Sequence, residues 1–436
     1  MGSTNYASRR ERFMKEMGPR AVAFFHAPPE ATRNGDAGYP FRQSSDLLYL
    51  TGFAEPESAL VLRPGAEKER VILFVRPRDK EREIWEGRRA GPEGAVSVHG
   101  ADVAYPIGEL AQRLPDLLAN HEDLYYAFGV LPDVDTRVAA ALQRMRLYER
   151  RAGRPPRRIV DPRYSLHELR LRKGPDEVAL LTRAGQITGE AHVAAMKAAR
   201  PGAWEYELQA AIEHAFRSRG AIGPGYGTIV GTGRNATILH YVENDAQLAA
   251  GDLVLVDAGA EVAAGYTADV TRTFPCGGRF TPERRRLYEL VLHAQEEAIA
   301  MTRPGATIDG IHERTCELLT EGMIKLGLLQ GTVAERIADG AYKKYYMHRT
   351  SHWLGLDVHD VGAYAGDDGK SRPLEPGMVI TIEPGIYVAE DDDAAPAALR
   401  GVGVRIEDDV LVTPEGHRVL TDGIPKRVDD LERICS

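Results

Sequence analysis

The sequence predicts two domains, a smaller α/β domain over residues 1–172 and a larger α+β domain over residues 173–436. Three observations predict this organisation. The chain has 436 residues, which is more than one hydrophobic core usually serves. In the first part, short apolar runs alternate with helical patterns, which is typical of an α/β domain. In the second part, pairs of amphipathic helices bracket β-branched runs, which favours an α+β domain with a mostly antiparallel sheet.

Composition and charge exclude several classes of protein. The formal net charge is −9 with both signs interspersed, which argues against nucleic acid as a partner. The three cysteines lie far apart, which indicates a reducing compartment and no thiolate metal site. No apolar run approaches the roughly 20 residues of a membrane helix, and no signal-peptide core is present. We therefore expect a cytoplasmic protein with no nucleic-acid or membrane partner.

In the N-terminal domain, apolar runs bounded by turn residues predict strands. These strands are Ala21–Phe25, Ala59–Leu62, Val71–Val75 and Leu124–Phe128. Proline and arginine become frequent from Arg154 to Arg163, which indicates a solvated linker. A long helix is predicted from about Lys173 to Arg200, with Pro175 near its first turn and Pro201 after its end.

The C-terminal domain continues with further helices and with the strands that carry its polar residues. Helices are predicted at Leu208–Arg219, from the Thr281 cap to about Met301, and at Ile308–Leu326. Strands are predicted at Thr228–Val230, Leu253–Asp257, Asp269–Phe274, Val379–Glu383 and Val402–Val412.

Two of these strands each carry one aspartate. Leu253–Asp257 ends in a carboxylate, and Asp269 begins the next strand twelve residues later. A buried carboxylate is costly unless it is paired or bound to a metal, and two close together repel each other. We therefore expect the strands to be neighbours and the two aspartates to share a cation.

Other carboxylates and histidines extend this group. Glu383 ends a predicted strand, and Glu407 shares one strand face with Arg405 because strand side chains alternate. The nearby histidines are His348, His352 and His359. An oxygen-rich set with one imidazole favours Mn²⁺, Mg²⁺ or Fe²⁺, and two bridged metals would balance its charge. Each residue alone also has an ordinary structural explanation, such as a turn aspartate or an Arg405–Glu407 pair.

Motifs in both halves of the chain resemble the aminopeptidase P family, the Xaa-Pro aminopeptidases with the pita-bread fold. The C-terminal motifs are Leu255–Gly259, Asp269–Phe274, His352–His359, Glu383–Gly385 and Val404–Asp409. Tyr39–Gln43 with Ser45-Asp46, Tyr49–Phe53 and Glu83–Arg89 resemble the N-terminal domain of bacterial-type members. The resemblance implies a C-terminal pita-bread metallopeptidase domain after a smaller α/β domain of the aminopeptidase P type.

The resemblance also implies an activity. It implies a metalloaminopeptidase that releases the N-terminal residue from peptides with proline in the second position, through a hydroxide that bridges two divalent metal ions, usually Mn²⁺. The implied metal ligands are Asp257, Asp269, His352, Glu383 and Glu407. Within that set Asp269 and Glu407 match the bridging carboxylates, and Glu383 also matches the proton shuttle.

The resemblance assigns further residues around this centre. The histidines that match positions around the substrate are His240, His348 and His359. Tyr387 and Arg405 match residues that support the metal centre from outside its ligand set. Trp85 matches an aromatic that reaches a neighbouring subunit's active site, which implies a homo-oligomer, either a dimer or a tetramer.

Two positions depart from the family pattern. The spacing from Asp257 to Asp269 is one residue longer than expected, with Ala263-Ala264 as the extra turn. Arg349 stands after His348, where a small residue is expected, and it should change the shape of the substrate entrance.

Three alternatives compete with this interpretation. Gly231–Ala236 imitates a dinucleotide-binding fingerprint, but Ala236–Val242 is β-branched and aromatic and predicts a strand and turn instead of the required helix. A non-catalytic pita-bread protein that binds peptides should lack the metal ligands, and all five are present. A prolidase, which cleaves only Xaa-Pro dipeptides, is the nearest alternative, and the Trp85 region and the N-terminal motifs favour aminopeptidase P over it.

Overall fold

The structure is a computed structural model that describes residues 5–436. The chain forms two compact units, Met1–Arg170 and Leu171–Ser436. Within the described residues, no helix combines the length and the apolar character needed to cross a membrane.

The N-terminal unit is an α/β domain built on one mixed sheet. Its helices are α1 (Tyr6–Met17), α2 (Ser45–Thr51), α3 (Lys80–Glu86), α4 (Gly91–Ser97), α5 (Leu110–Leu118), α6 (Pro132–Leu147), α7 (Glu149–Ala152) and α8 (Arg163–Leu171), with a 3₁₀ turn at Ile107–Glu109. Its strands are β1 (Ala21–His26), β2 (Thr32–Asn34), β3 (Ala37–Gly38), β4 (Ala59–Leu62), β5 (Val71–Val75), β6 (Val103–Pro106), β7 (Asp123–Tyr125) and β8 (Arg158–Val160). The six-stranded sheet has the order β6-β5-β4-β1-β7-β8.

Alternate residues of the central strands form the core of this unit. Phe24, Val61 and Phe74 are at most 1% exposed and belong to one apolar cluster with Leu114 of α5 and Val138 of α6. β4 is antiparallel to both β1 and β5, whereas β7 is parallel to β1. The fully apolar sequences of β4 and β5 agree with strands that are buried on both faces.

The C-terminal unit is an α+β domain. Its helices are α9 (Pro175–Ala198), α10 (Glu205–Ser218), α11 (Pro282–Met301), α12 (Ile308–Lys325), α13 (Val333–Ala338) and α14 (Val428–Cys435), with 3₁₀ turns at Gly233–Thr237, Ala341–Lys344 and Ala397–Leu399. Its strands are β9 (Gly223–Pro224), β10 (Ile229–Thr232), β11 (Leu253–Asp257), β12 (Ala260–Glu261), β13 (Thr271–Pro275), β14 (Val379–Ile382), β15 (Gly385–Val388), β16 (Val402–Arg405), β17 (Asp408–Thr413) and β18 (Gly416–Val419).

The strand pairs of this unit are antiparallel, as the sequence predicts. The order β10-β11-β13 forms one sheet, β14-β17-β18 forms a second, and β15-β16 and β9-β12 form two-stranded ladders. Glu177 accepts a hydrogen bond from the Gly174 N–H at the start of α9, and Thr281 caps α11 ahead of Pro282.

Several segments differ from their predicted structure. The strand predicted from Asp269 begins at Thr271, and the strand predicted over Leu124–Phe128 ends at Tyr125. The predicted strand Val402–Val412 is two strands, interrupted at Ile406-Glu407. The segment predicted as a strand after Gly233 begins with a 3₁₀ turn, and β10 runs antiparallel to β11, which excludes the βαβ unit of a dinucleotide-binding fold. The predicted linker Arg154–Arg163 contains β8, which forms one edge of the six-stranded sheet.

Candidate metal centre

Asp257 and Asp269 are brought together by the pairing of β11 with β13. Asp257 ends β11 directly opposite Thr271, and Asp269 lies two residues before Thr271. The Ala258 N–H donates to the Val270 carbonyl (3.0 Å), which continues the ladder beyond the strands. A Cβ on Gly259 would lie 1.7 Å from the Ala268 carbonyl oxygen, so only glycine permits this close approach.

Tyr226 lies between the two aspartates and was not predicted from the sequence. Its hydroxyl oxygen is 2.6 Å from Asp257 Oδ1 and 2.6 Å from Asp269 Oδ1. A phenol has one proton and can donate to one carboxylate at a time. Burial, together with the charge of both aspartates, raises the pKa of Tyr226 well above its usual value, so the hydroxyl stays protonated.

Arg405 and Glu407 reach the same region from the end of β16 and the break that follows it. Arg405 donates through Nη2 to Asp257 Oδ2 (2.6 Å) and through Nε to Thr271 Oγ1 (3.0 Å). Thr271 in turn donates to Glu407 Oε2 (2.7 Å), and the Glu407 N–H donates to the Thr271 carbonyl (3.1 Å). Thr271 therefore holds both the Arg405 guanidinium and the Glu407 carboxylate in place.

His352 and Glu383 complete the group from the β14-β17-β18 sheet: Glu383 follows β14, and His352 lies in the segment beside it. His352 Nε2 lies 3.3 Å from Asp269 Oδ2 and 3.4 Å from Glu383 Oε1. Its Nδ1 is 3.0 Å from the Trp353 carbonyl, so the Nδ1–H donates there and Nε2 faces the carboxylates. Hydrogen bonds from the Thr381 N–H to the His352 carbonyl and from the Glu383 N–H to the Thr350 carbonyl tie this segment to β14.

The carboxylates raise one another's pKa. Burial and the nearby carboxylates raise the pKa of Asp269, and they raise the pKa of Glu407 well above its usual value. Burial raises the pKa of Glu383 to about 7, against the lowering effect of His352. Burial acts to lower the pKa of His352, but Asp269 and Glu383 outweigh it and raise this pKa to about 9. Without a cation, these buried carboxyls therefore hold protons more tightly than they would in water.

The donor set fits a divalent metal. One ligand atom each from Asp269, His352 and Glu407 lie within 4.8 Å of one another. Carboxylate oxygens with a single imidazole suit Mn²⁺, Mg²⁺ or Fe²⁺. A cation at this position would relieve the repulsion that raises the carboxylate pKa values.

The other predicted histidines have different surroundings. His348 Nε2 is 2.8 Å from the Tyr387 hydroxyl, and its Nδ1 is 2.8 Å from the Arg349 carbonyl. Burial, followed by the charge of Arg405, lowers the pKa of His348 to about 3, so the ring is neutral. The ring of His359 stands edge-on to His352 at 4.5 Å between centroids, and burial lowers the pKa of His359.

A cavity of about 710 Å³ contains nearly all of these side chains. It is lined by Tyr226, Gly227, Ile229, Leu239, His240, Val242, Asp257, Asp269, Ile308, His348, Arg349, Ser351, His352, Val358, His359, Tyr364, Glu383, Arg405 and Glu407. Tyr387 lies behind this lining, where its hydroxyl accepts from Arg405 Nη1 (2.9 Å). Trp85 belongs to the N-terminal unit, where it lies on α3 and is 88% exposed.

Three polar residues of the centre escaped the sequence analysis. Thr271 follows Asp269 by two positions, so strand alternation could have placed both on one face. Asp409, which accepts from the Asp269 N–H at 3.3 Å, follows Glu407 by two positions but lies in the next strand. Tyr226 precedes Asp257 by 31 residues and no local pattern connects the two.

Comparison with known proteins is consistent across sequence and structure. Residues 179–414 match the profile of metallopeptidase family M24, and residues 6–126 match the profile of the aminopeptidase P N-terminal domain. The chain is 44% identical over 430 residues to the Xaa-Pro aminopeptidase of Escherichia coli K12, which covers 98% of this chain and 97% of that protein.

Two solved structures extend the comparison. Pseudomonas aeruginosa aminopeptidase PepP superposes with a TM-score of 0.97 at 47% identity, over 99% of this chain and 97% of that chain. A single-residue variant of E. coli aminopeptidase P in complex with substrate superposes with a TM-score of 0.95 at 44% identity, over the same shares of the two chains.

Proposed function

The chain belongs to metallopeptidase family M24 and is an Xaa-Pro aminopeptidase, and on this premise we propose how its residues perform the reaction. It releases the N-terminal residue from peptides that have proline in the second position. The observation that carries the proposal is the convergence of four carboxylates and His352 in one cavity. The proposed metal ligands are Asp257, Asp269, His352, Glu383 and Glu407.

We propose two divalent metal ions, with Mn²⁺ as the preferred metal. Four carboxylates carry more negative charge than one divalent ion balances, and an oxygen-rich set favours Mn²⁺ over softer metals. When bound, such ions activate water and polarise the carbonyl of the scissile bond. The residues of the chain must then bind the peptide and move the proton.

Glu383 is the proposed proton carrier. The leaving nitrogen belongs to proline and follows the scissile carbonyl carbon. It has no N–H in the substrate, and it must gain a proton to leave as the amine of the shortened peptide. Glu383 stands at the end of β14 within the carboxylate group and lines the cavity, where a carboxylate can take a proton from the attacking water and give it to that nitrogen. The Glu383 N–H bond to the Thr350 carbonyl (2.9 Å) keeps this side chain at the end of β14.

The chain Arg405–Tyr387–His348 orients the cavity wall around the peptide. Arg405 donates to the Tyr387 hydroxyl, which leaves that hydroxyl's proton free to be donated to His348 Nε2. Both ring nitrogens of His348 are thereby occupied within the protein, so its role is to shape the site. His240 and His359 line the cavity and are the proposed imidazole contacts to the substrate.

The experiment that tests the function compares three peptides. The purified protein, stripped of metal and then given Mn²⁺, should cleave an Xaa-Pro-Xaa tripeptide faster than an Xaa-Pro dipeptide and should leave an Xaa-Ala-Xaa tripeptide intact. Cleavage of the dipeptide alone would identify a prolidase. Full activity in the metal-stripped protein would contradict the metal mechanism, and hydrolysis of none of the peptides would favour a protein that only binds peptides.

A further inference from the structure

Arg349 places a cation in the wall of the cavity. It lies between His348 and Thr350, in a segment whose position relative to β14 is set by the Glu383 N–H bond to the Thr350 carbonyl (2.9 Å). Its backbone carbonyl accepts from His348 Nδ1. The side chain lines the same cavity as the carboxylates of the metal centre.

The charge of Arg349 is available to solvent, unlike that of Arg405, the other arginine in the cavity wall. The Arg405 side chain is 5% exposed and is committed to Asp257, Thr271 and Tyr387. The Arg349 side chain is 56% exposed and pairs with Asp309, which is itself 49% exposed. A guanidinium has five N–H donors, so one carboxylate does not occupy all of them.

The orientation of the bound peptide determines which of its residues can contact Arg349. An aminopeptidase holds a single residue on the N-terminal side of the scissile bond, so the rest of the peptide must leave the cavity through its open side. The metal-centre carboxylates Asp257 and Glu407 are at most 8% exposed, whereas Arg349 is largely exposed. Arg349 is therefore the exposed arginine of the cavity lining and is accessible to the residues that follow proline as they leave the cavity.

We propose that Arg349 determines specificity by binding a carboxylate on the part of the peptide that follows proline. This inference rests on the proposed function. The carboxylate has two possible sources, the free C-terminus of a short peptide and the side chain of an acidic residue in the third position. Asp309 competes with the substrate carboxylate for the guanidinium.

The test compares matched peptides in the metal-loaded enzyme. One pair is an Xaa-Pro-Ala tripeptide with a free carboxylate and its C-terminal amide. The other pair consists of longer, amidated peptides with Glu or Gln in the third position. The measured quantity is the ratio of kcat/KM within each pair, and the pair that shows a preference identifies the source of the carboxylate.

We expect wild-type enzyme to prefer the charged peptide by about two- to five-fold, the range of an exposed ion pair. Arg349→Gln should bring the ratio to about one, and Arg349→Lys should retain part of the preference. Asp309→Asn should increase it because the competing carboxylate is removed. The preference should also fall at high salt, which a purely structural Arg349–Asp309 contact would not cause.

Arg314→Gln is the matched control. Arg314 lies on α12 like Asp309, forms an ion pair with Glu317 at 2.8 Å and is similarly exposed, but it does not line the cavity. Its substitution should leave the ratio at the wild-type value. If wild type and Arg349→Gln give equal kcat/KM ratios while both still cleave Xaa-Pro peptides, this inference is wrong and the proposed function stands. A wild-type enzyme that cleaves no Xaa-Pro peptide would overturn the proposed function, and the inference with it.

Discussion

At the scale of single residues, Glu383 combines two properties that a proton carrier needs. It lies 3.4 Å from His352 within the carboxylate group, and its side chain lines the cavity in which the peptide would bind. Glu383→Gln keeps the shape but cannot accept a proton. General acid–base groups contribute roughly 10²- to 10⁴-fold, so we expect kcat to fall by at least about 100-fold while KM changes less. Steady-state kinetics on an Xaa-Pro-Xaa tripeptide measures this loss.

The same substitution also removes a proposed metal ligand, so metal content must be measured with the kinetics. Glu390→Gln is the control, because Glu390 has the same chemistry, is 65% exposed and does not line the cavity. A Glu383→Gln variant that retains its metal and keeps more than about a tenth of wild-type kcat would be too active for loss of such a group. Proton transfer would then be assigned to His359, whose ring centroid lies 4.5 Å from that of His352 in the same cavity.

Tyr226 offers a second prediction at this scale. Its hydroxyl contacts Asp257 and Asp269 at 2.6 Å each, so Tyr226→Phe removes an orienting group from two proposed ligands at once. Loss of such supporting contacts typically lowers metal affinity or activity by about 10- to 100-fold. Titration of the metal-free variant with Mn²⁺, followed by activity, should show weaker binding that high Mn²⁺ partly restores.

Tyr206→Phe is the matched control for this titration. Tyr206 also loses only a hydroxyl, but it lies on α10 and stacks on Trp204 at 5.4 Å between ring centroids. Unchanged Mn²⁺ affinity in both variants would show that the Tyr226 hydroxyl does not support the metal centre.

At the scale of secondary-structure elements, Asp46 joins α2 to α8 in the N-terminal unit. Its carboxylate accepts from Arg170 (2.7 Å) and lies 3.2 Å from His167 Nε2. Burial acts to raise the pKa of Asp46, but His167 and Arg170 outweigh it and lower this pKa to about 2, from an ordinary 3.8. The folded state therefore gains about 2 kcal/mol from the charged form, fully present above pH 4–5 and lost as the pH falls toward 2.

The consequence is measurable by urea unfolding across pH. The difference in unfolding free energy between wild type and Asp46→Asn should decrease as the pH falls below 5, and roughly half of the charge contribution should be lost by pH 3. Asp36→Asn, in the exposed turn between β2 and β3, should show no such dependence. A wild-type advantage over Asp46→Asn that is independent of pH would contradict the lowered pKa.

The elements that the sequence predicts well are those whose signal is local. Leu253–Asp257, Ala59–Leu62 and Val71–Val75 are strands over the predicted residues because each is an apolar run between turn residues. The break at Glu407 could not be predicted in this way. It follows from the hydrogen bond of the Glu407 N–H to the Thr271 carbonyl, a residue far away in the sequence.

The same distinction applies to the metal centre. Its carboxylates stand at strand ends in short motifs, so they could be proposed from the sequence, whereas Tyr226 is placed by a contact between distant segments. The linker predicted at Arg154–Arg163 shows the converse error. Its arginines indicated a solvated segment, and Arg158 is indeed 68% exposed, but the backbone of the segment forms the edge strand β8, which pairs with β7.

At the scale of the whole molecule, the question is whether one chain is sufficient for activity. Trp85 and Ile84, on α3, are 88% and 80% exposed, and large apolar side chains with such exposure often mark an interface. We predict a homo-oligomer in which Trp85 completes the active site of a neighbouring copy. Sedimentation at assay concentration should therefore show an oligomer, and specific activity should fall on dilution into the monomer. A fully active monomer would contradict the prediction.

Complementation between two inactive variants gives the sharper test of this prediction. In an oligomer of Trp85→Ala chains, each active site has Glu383 but receives no tryptophan from the neighbouring chain. In an oligomer of Glu383→Gln chains, each active site receives the tryptophan but lacks Glu383. If Trp85 acts on a neighbouring copy, mixing the two variants under exchange conditions creates sites that contain Glu383 from one chain and Trp85 from the other. Activity should then rise above that of either variant alone, by an amount that depends on the mixing ratio.

Tyr164→Ala is the matched control for Trp85→Ala in the mixing experiment. Tyr164 is 85% exposed and also lies in the N-terminal unit, on α8, so it tests whether any exposed aromatic of this unit produces the effect. The Tyr164 variant should be active without a partner. If Trp85 serves only its own chain, every mixed oligomer still lacks one of the two groups at each site, and no ratio of the inactive variants restores activity.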